Sequence, residues 1–285
     1  MPLPADSAAE PDESGEPDEP VGPVPPVPRR TVREVSLLIL IGAIGGVLSG
    51  AFGVGGGIIM VPLLTTVAGL DHRRASATSL VAIIPAGIVG TVTYGVTGHV
   101  DLVAALLIAA GGVAGTFLGT RLLHRLSIGW LRWLFIGLLL LVAVRLFLEI
   151  PARTGGIPLT PVSIPGLVVL GLVMGIASGL FGIGGGVIVV PILVALFGAG
   201  DLLAKGTSLL AIIPGAVTGT VRNARAGFVD VIDGAIVGVT AAAASFGGVA
   251  IASALSPQLA GILFAVLLLA ATVQLVVRAV RDARR

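Results

Sequence analysis

The sequence predicts an all-α, polytopic membrane protein built from two inverted repeats, each a re-entrant, Gly-rich helical hairpin followed by three transmembrane helices. Three observations lead to this fold class. Hydrophobic residues fill 55% of the 285 positions and charged residues only 11%, unlike the usage of soluble domains. Residues 35–70, 154–200 and 234–277 contain no Asp, Glu, Lys or Arg, and these runs exceed the ~18 residues that mark a membrane-spanning candidate. A Gly-rich phrase also occurs twice.

Residues 1–28 are predicted to form a disordered tail. The tail holds seven of the fifteen carboxylates and many prolines, and such a segment cannot bury enough apolar surface to fold. It is either a simple solvated extension or a partner-binding arm, and it lacks the basic start and short apolar core of a signal peptide. The sequence then divides into a first membrane repeat at 29–150, a linker at 151–165 and a second repeat at 166–285.

The first apolar run, residues 35–70, is predicted to be the interrupted hairpin of the first repeat. A single helix of this length would measure about 54 Å at 1.5 Å per residue, too long for a hydrocarbon core of ~30 Å. Four glycines at residues 53–57 interrupt it, since each weakens a helix by roughly 1 kcal/mol. Two arms of about 15 residues remain, each short of a full crossing.

The other apolar runs follow in the same order in both halves. We expect crossings at residues 75–98, 102–123 and 130–148, then a second hairpin at 166–197 and crossings at 204–221, 234–255 and 257–277. If each hairpin returns to the side it entered, fourteen of the seventeen basic residues share one face. The positive-inside rule favours this arrangement and puts both termini in the cytoplasm. Because each repeat then crosses the membrane three times, an odd number, the second repeat has the opposite orientation in the membrane to the first.

The duplicated phrase provides the candidate site. Residues 49–64 (SGAFGVGGGIIMVPLL) recur as 178–193 (SGLFGIGGGVIVVPIL), 129 residues later. Glycine runs allow backbone N–H groups to converge into a concave nest, and the helix that follows directs its positive end to the same place. In inverted repeats two such loops would meet near the membrane midplane, as in secondary transporters. The predicted binding residues are Ser49, Gly53, Gly55, Gly56, Gly57, Thr78, Ser79, Ser178, Gly182, Gly184, Gly185, Gly186, Thr207 and Ser208.

Each of these residue types also has a structural interpretation. Glycines permit close packing of membrane helices, and helical Ser and Thr often bond to their own backbone. Lys205 either draws an anion into a vestibule or simply flanks a helix. Asp101 and Asp230, which match across the repeat, fit helix N-caps, with a proton relay as the alternative.

The charges that are missing favour an anionic substrate. Apart from groups near helix ends, no carboxylate is available at mid-membrane to balance a desolvated cation. No metal-ligand spacing, nucleophile–base pair or phosphate-binding loop is present, and residues 53–58 do not fit the dinucleotide fingerprint. We therefore expect no enzyme activity, cofactor or metal. Basic residues beside a membrane indicate orientation rather than nucleic-acid binding.

The paired Gly-rich phrases, followed by Thr78-Ser79 and Thr207-Ser208, resemble the TauE/SafE (sulfite exporter) family of membrane permeases over nearly all of residues 35–280. The resemblance implies a carrier in the cytoplasmic membrane of a bacterium or archaeon, with substrates such as sulfite, sulfoacetate and other small sulfur-containing or organic anions. The first hypothesis is a secondary anion carrier that works by alternating access, driven by proton coupling or the anion gradient. A passive anion channel and a membrane-embedded enzyme or scaffold are the alternatives.

Overall fold

A computed structural model describes residues 31–122, 133, 136–137, 140, 143–144 and 155–283. Its helices are α1 (Val32–Phe52), α2 (Gly57–Thr66), α3 (His72–Val96), α4 (Leu102–Leu122), α5 (Ser163–Phe181), α6 (Gly186–Phe197), α7 (Asp201–Arg225), α8 (Val231–Ala254) and α9 (Pro257–Ala283). Within the described residues there is no strand, and six helices are long and apolar enough to cross a membrane. The predicted all-α, polytopic class is confirmed. The tail at 1–28, most of the crossing at 130–148 and part of the linker lie outside the described residues.

The duplication extends to the helix boundaries. Helices α3 and α7 each have 25 residues and begin and end 129 positions apart. Helices α1 and α5 both end at the phenylalanine before the glycines, and α2 and α6 both begin at the last glycine of the run. Helices α1–α4 of the first repeat therefore have the same order as helices α5–α8 of the second.

The predicted interruption of the first apolar run is confirmed, but its arms are unequal. Helix α1 has 21 residues, about 31 Å at 1.5 Å per residue, so the prediction that both arms fall short of a crossing is wrong for α1. Helix α2 has only 10 residues. The glycines inside α1 do not break it, because they pack against another helix, and helix formation therefore continues to Phe52.

The first helix of each repeat packs on a later helix of the other repeat, α1 on α8 and α5 on α4. In α1 the glycines at four-residue spacing, Gly42, Gly46 and Gly50, lie against the backbone of α8, and in α4 a similar series lies against α5. Small residues at this spacing allow backbones to approach closely. A Cβ on Gly119 would lie 2.7 Å from the Ile176 carbonyl oxygen. The two repeats are therefore interleaved.

Corresponding helices of the two repeats run in opposite directions. Helices α3 and α7 pack antiparallel, with Gly87 and Gly90 against Leu209, and Gly219 against Leu80. Helices α1 and α3 both run parallel to α8. Helix α4 runs parallel to α5 and to α7, since its start lies at the start of α7 and Phe117, near its end, lies beside Arg222 near the end of α7. The helices α1, α3 and α4 therefore run in the direction opposite to that of their counterparts α5, α7 and α8.

Candidate functional site: two glycine loops and the helix faces beside them

The glycine loops that join the hairpin arms touch each other inside the protein. We call residues 53–57 loop 1 and residues 182–186 loop 2. A Cβ on Gly57 would lie 2.8 Å from the Ile183 carbonyl oxygen, and a Cβ on Gly186 would lie 2.6 Å from the Gly53 carbonyl oxygen. Every residue of both loops is buried. The duplicated phrases thus form one central junction.

The glycines are required by the backbone conformation of the loops. Gly53, Gly55 and Gly56 have φ values of 70°, 80° and 73°, and their counterparts in loop 2 have 68°, 80° and 76°. Residues with a side chain rarely adopt this left-handed region. Space is short as well, because a Cβ on Gly53 would lie 2.6 Å from the Lys205 Cα.

Each loop leaves five consecutive backbone N–H groups without an acceptor. In loop 1 the Gly53 N–H bonds to the Ser49 carbonyl at 2.8 Å, and the Ile59 and Met60 N–H groups bond to the Gly56 carbonyl. In the part of the chain that the structure describes, the N–H groups of residues 54–58 donate to nothing, and the same holds for residues 183–187. A buried N–H without a partner is costly, so these groups are suited to a ligand that accepts hydrogen bonds.

The predicted hydroxyl residues are all buried, but they do different things. Ser208 Oγ donates to the Gly53 carbonyl oxygen at 2.9 Å and so belongs to loop 1. Ser49 Oγ and Ser79 Oγ are fully buried and have no hydrogen-bond partner among the residues that the structure describes. The remaining three, with relative exposures of 3% or less, are Thr78, Ser178 and Thr207.

Three of the predicted residues have structural roles at helix ends. Thr207 Oγ1 accepts the backbone N–H of Asp101 at 2.9 Å and ties α7 to the α3–α4 connection. Asp101 caps α4 by accepting the Ala104 N–H at 2.9 Å, and Asp230 caps α8 by accepting from Ile232 and Asp233. Both aspartates are therefore positioned as helix N-caps, one of the two interpretations that the sequence left open.

One face of α7 lies along loop 1 and contains a buried ion pair. Asp201, Lys205, Ser208 and Ile212 follow one another at spacings of three or four residues, which places them on one helix face. Ile212 Cδ1 lies 2.6 Å from the position of a Cβ on Gly55. Lys205 Nζ bonds to Asp201 Oδ2 at 2.9 Å, and the two side chains are 2% and 6% exposed. Lys205 thus lies in the interior.

Sequence reasoning missed Asp201. It follows directly on the charge-free run at 154–200, so its position in the sequence is that of a residue at the end of a membrane segment. Its spacing of four from Lys205 was the available signal, because opposite charges at this spacing meet on a helix.

The corresponding face of α3 lies along loop 2 without such a pair. Its residues are His72, Ser76, Ser79 and Ile83, and Ser76 Oγ donates to the Phe181 carbonyl at 3.4 Å. A cavity of about 30 Å³ next to loop 2 is lined by Ile58, Val61, Pro62, His72, Phe181, Ile183, Ala271 and Gln274. Among the described residues, no three His, Asp or Glu side chains come together as a metal site.

The model of the sulfite exporter TauE/SafE family matches residues 13–146 and 167–285. The chain belongs to this family. The sequence-based prediction of the family is therefore confirmed, and the protein is a multi-pass membrane transporter with a small-molecule substrate. The two matched segments contain loop 1 and loop 2, so the glycine loops lie within the TauE/SafE core.

Curated relatives include probable membrane transporter proteins of bacteria and an archaeon. YunE of Bacillus subtilis (strain 168) is 29% identical over 219 residues, which cover 68% of this chain and 80% of the relative. A protein of Xylella fastidiosa (strain 9a5c) is 33% identical over 207 residues, 68% of this chain and 77% of the relative. MJ0441 of Methanocaldococcus jannaschii is 28% identical over 165 residues, which cover 55% of this chain and 60% of the relative. No solved structure matches the chain significantly.

Proposed function

We propose that this TauE/SafE family transporter is a secondary carrier of a small anion, which binds between loop 1 and loop 2. Sulfite and other small sulfur-containing or organic anions are the proposed substrates. The observation that carries the proposal is the two runs of five buried N–H groups without acceptors, one run in each loop. Each run ends in the first turn of a helix, where the helix dipole adds positive potential.

The surroundings of the loops also favour an anion. Ser49 and Ser79 offer buried hydroxyls that have no partner. On the face of α7 beside loop 1, the carboxylate of Asp201 is balanced by Lys205, so no net negative charge opposes an incoming anion. A cation would meet N–H groups, which repel it, and would find no free carboxylate on these two helix faces.

Alternating access is supported by the opposed directions of corresponding helices. Such repeats allow one half to rock against the other around a fixed central site. Arg73 lies 5.5 Å from the ring of Phe228, and Arg222 lies 5.0 Å from the ring of Phe117. Arginines at the start of α3 and the end of α7 therefore share one end of the protein. We assign this end to the cytoplasm by the positive-inside rule, in a bacterial or archaeal inner membrane, with a proton or anion gradient as the driving force.

Uptake into proteoliposomes tests the carrier. Purified protein should support saturable uptake of at least one of sulfite, sulfate, thiosulfate and sulfoacetate, and empty liposomes should not. Uptake of none of them would refute the proposed substrate class. Flux that does not saturate would favour the passive channel instead.

Two glycine variants connect the uptake to the loops. Gly56→Val and Gly185→Val place a β-branched side chain at φ values of 73° and 76° and should abolish uptake. Gly247→Val is the matched control, because Gly247 is exposed on α8 and a Cβ there meets nothing within 4 Å. Equal uptake by all three variants would mean that the loops are packing elements.

A further inference from the structure

The positions beside the two loops correspond one to one, but the buried lysine–aspartate pair of α7 has no equivalent at the matching positions of α3. Asp201 and Lys205 on α7 correspond to His72 and Ser76 on α3. We propose that Lys205 is the charged partner of the transported anion, and that Asp201 competes with the anion for Lys205 and so keeps binding weak enough for release. This inference rests on the proposed anion site.

The burial of the pair indicates a role other than stability. Lys205 and Asp201 are 2% and 6% exposed, and charges taken out of water lose hydration that their mutual attraction often fails to restore. Apolar residues of similar size would stabilise α7 at least as well. Ionisable groups retained inside a membrane-spanning segment usually mark the path of a substrate or ion.

The position of the pair connects it to the unpaired N–H groups. A Cβ on Gly53 would lie 2.6 Å from the Lys205 Cα and 2.8 Å from its carbonyl oxygen. Ser208, on the same face of α7, donates to the Gly53 carbonyl at 2.9 Å. Lys205 is thus fixed at the start of loop 1, immediately before the N–H groups of residues 54–58, and its long flexible stem can bring the ammonium to an anion held there.

Competition follows from the chemistry of the ammonium group. A lysine ammonium donates hydrogen bonds and accepts none, and that of Lys205 donates to Asp201 Oδ2 at 2.9 Å. An oxyanion and a carboxylate present the same kind of charged oxygen to these donors. The anion therefore gains less from Lys205 while Asp201 holds it. At loop 2 the position equivalent to Lys205 is Ser76, which donates to the Phe181 carbonyl, so the proposal places the anion nearer to loop 1.

Anion binding by the purified full-length chain in detergent tests the proposal. Affinity is measured from the rise in unfolding temperature with sodium sulfite, at ionic strength held constant with sodium gluconate, and then with sulfate, thiosulfate and sulfoacetate. Asp201→Asn should tighten binding about tenfold, and Lys205→Met should weaken it about tenfold, the effect of one charge-assisted hydrogen bond. The double variant Asp201→Asn/Lys205→Met should bind as weakly as Lys205→Met.

The exposed pair Asp71–Arg74 provides the matched control. Its side chains are 61% and 62% exposed and 3.7 Å apart, and Asp71→Asn/Arg74→Met should leave anion affinity within twofold of the wild type. Binding by Asp201→Asn that is equal to or weaker than wild type would overturn the competition. If that variant does not fold, the neutral double variant decides, because removing both charges together leaves no unpaired ion: unchanged affinity there overturns the role of Lys205.

The anion site and the competition for Lys205 are distinguished by different results. If the wild type responds to one of the four anions but the variants bind like wild type, only the competition is refuted. If the wild type responds to none of them, the proposed anion site is refuted together with the inference.

Discussion

Loops 1 and 2 have nearly the same backbone but different neighbours. Their three left-handed glycines differ in φ by at most 3° between loops, and the same five N–H groups are unpaired in each. Beside them, Lys205 lies against Gly53 of loop 1 and pairs with Asp201, whereas Ser76 and His72 occupy the equivalent positions at loop 2. The duplicated part is therefore the backbone of the loops, and the lysine–aspartate pair is not duplicated. If the proposed anion site is right, both repeats supply N–H groups to it and only the second supplies this lysine.

The largest expected effect comes from forcing the loops apart. Gly57→Ala would bring a Cβ to 2.8 Å from the Ile183 carbonyl oxygen, and Gly186→Ala would bring one to 2.6 Å from the Gly53 carbonyl oxygen. Both changes should lower proteoliposome uptake by about a hundredfold, because misplacement of binding groups by ~1 Å can cost that much. Gly247→Ala, exposed on α8, should have no effect. A loss of uptake in only one of these two variants would contradict the functional equivalence of the two loop backbones.

The next largest effect should be a difference in stability between a variant of the buried pair Asp201–Lys205 and a variant of the exposed pair Asp71–Arg74. In the absence of anion, Asp201→Asn removes the carboxylate that pairs with the buried Lys205 and should reduce the free energy of unfolding by about 1.5–3 kcal/mol, the value of a hydrogen bond to a charged group. Asp71→Asn, at the N-terminal cap of α3, removes an exposed pair and should cost less than about 1 kcal/mol. Denaturation in mixed detergent micelles measures both. Equal losses in the free energy of unfolding would contradict the difference between the buried pair and the exposed pair.

Sequence reasoning found the loops because their composition can be explained only by backbone conformation. Four glycines within five positions of an apolar run are incompatible with a continuous helix, and repetition at a constant offset located the second loop. Helix α1 contains as many glycines as loop 1, so the number of glycines alone does not tell the helix from the loop. What separates Gly46 from Gly55 is the partner, since Gly46 faces the α8 backbone, and a partner distant in sequence is invisible to local pattern.

The side chains of the site were predicted less completely for a similar reason. The identities of Ser208 and Thr207 point equally to a ligand, and only the fold reveals that Ser208 donates to loop 1 while Thr207 accepts from Asp101. Asp201 was overlooked because burial at the beginning of a helix depends on which elements cover that end. Its relative exposure of 4% comes from the tertiary structure.

A smaller difference is expected between the two serines that correspond across the repeats. Ser208→Ala removes the bond to the Gly53 carbonyl and should destabilise the protein by about 1 kcal/mol. Ser79→Ala removes a buried hydroxyl without a partner and should leave stability unchanged or raise it slightly. If Ser79 binds the anion, its variant should nevertheless weaken sulfite binding in the thermal-shift assay. A Ser79 variant with normal affinity would remove this residue from the site.

The smallest effect concerns the two helix caps. Asp101→Asn and Asp230→Asn should support normal uptake at every pH tested, since Asn caps helices as well as Asp does, whereas Asp101→Ala should lower stability by about 1 kcal/mol. Uptake that loses its dependence on a proton gradient in either Asn variant would assign a proton relay to that aspartate and contradict the purely structural role.

The packing of α1 on α8 has a consequence for biosynthesis. The surface of α1 that carries Gly42, Gly46 and Gly50 has its partner in residues 237–249, which leave the ribosome some two hundred positions later. The close packing of α1 is therefore completed only after α8 has been synthesised and inserted, so this contact joins an early part of the chain to a late one.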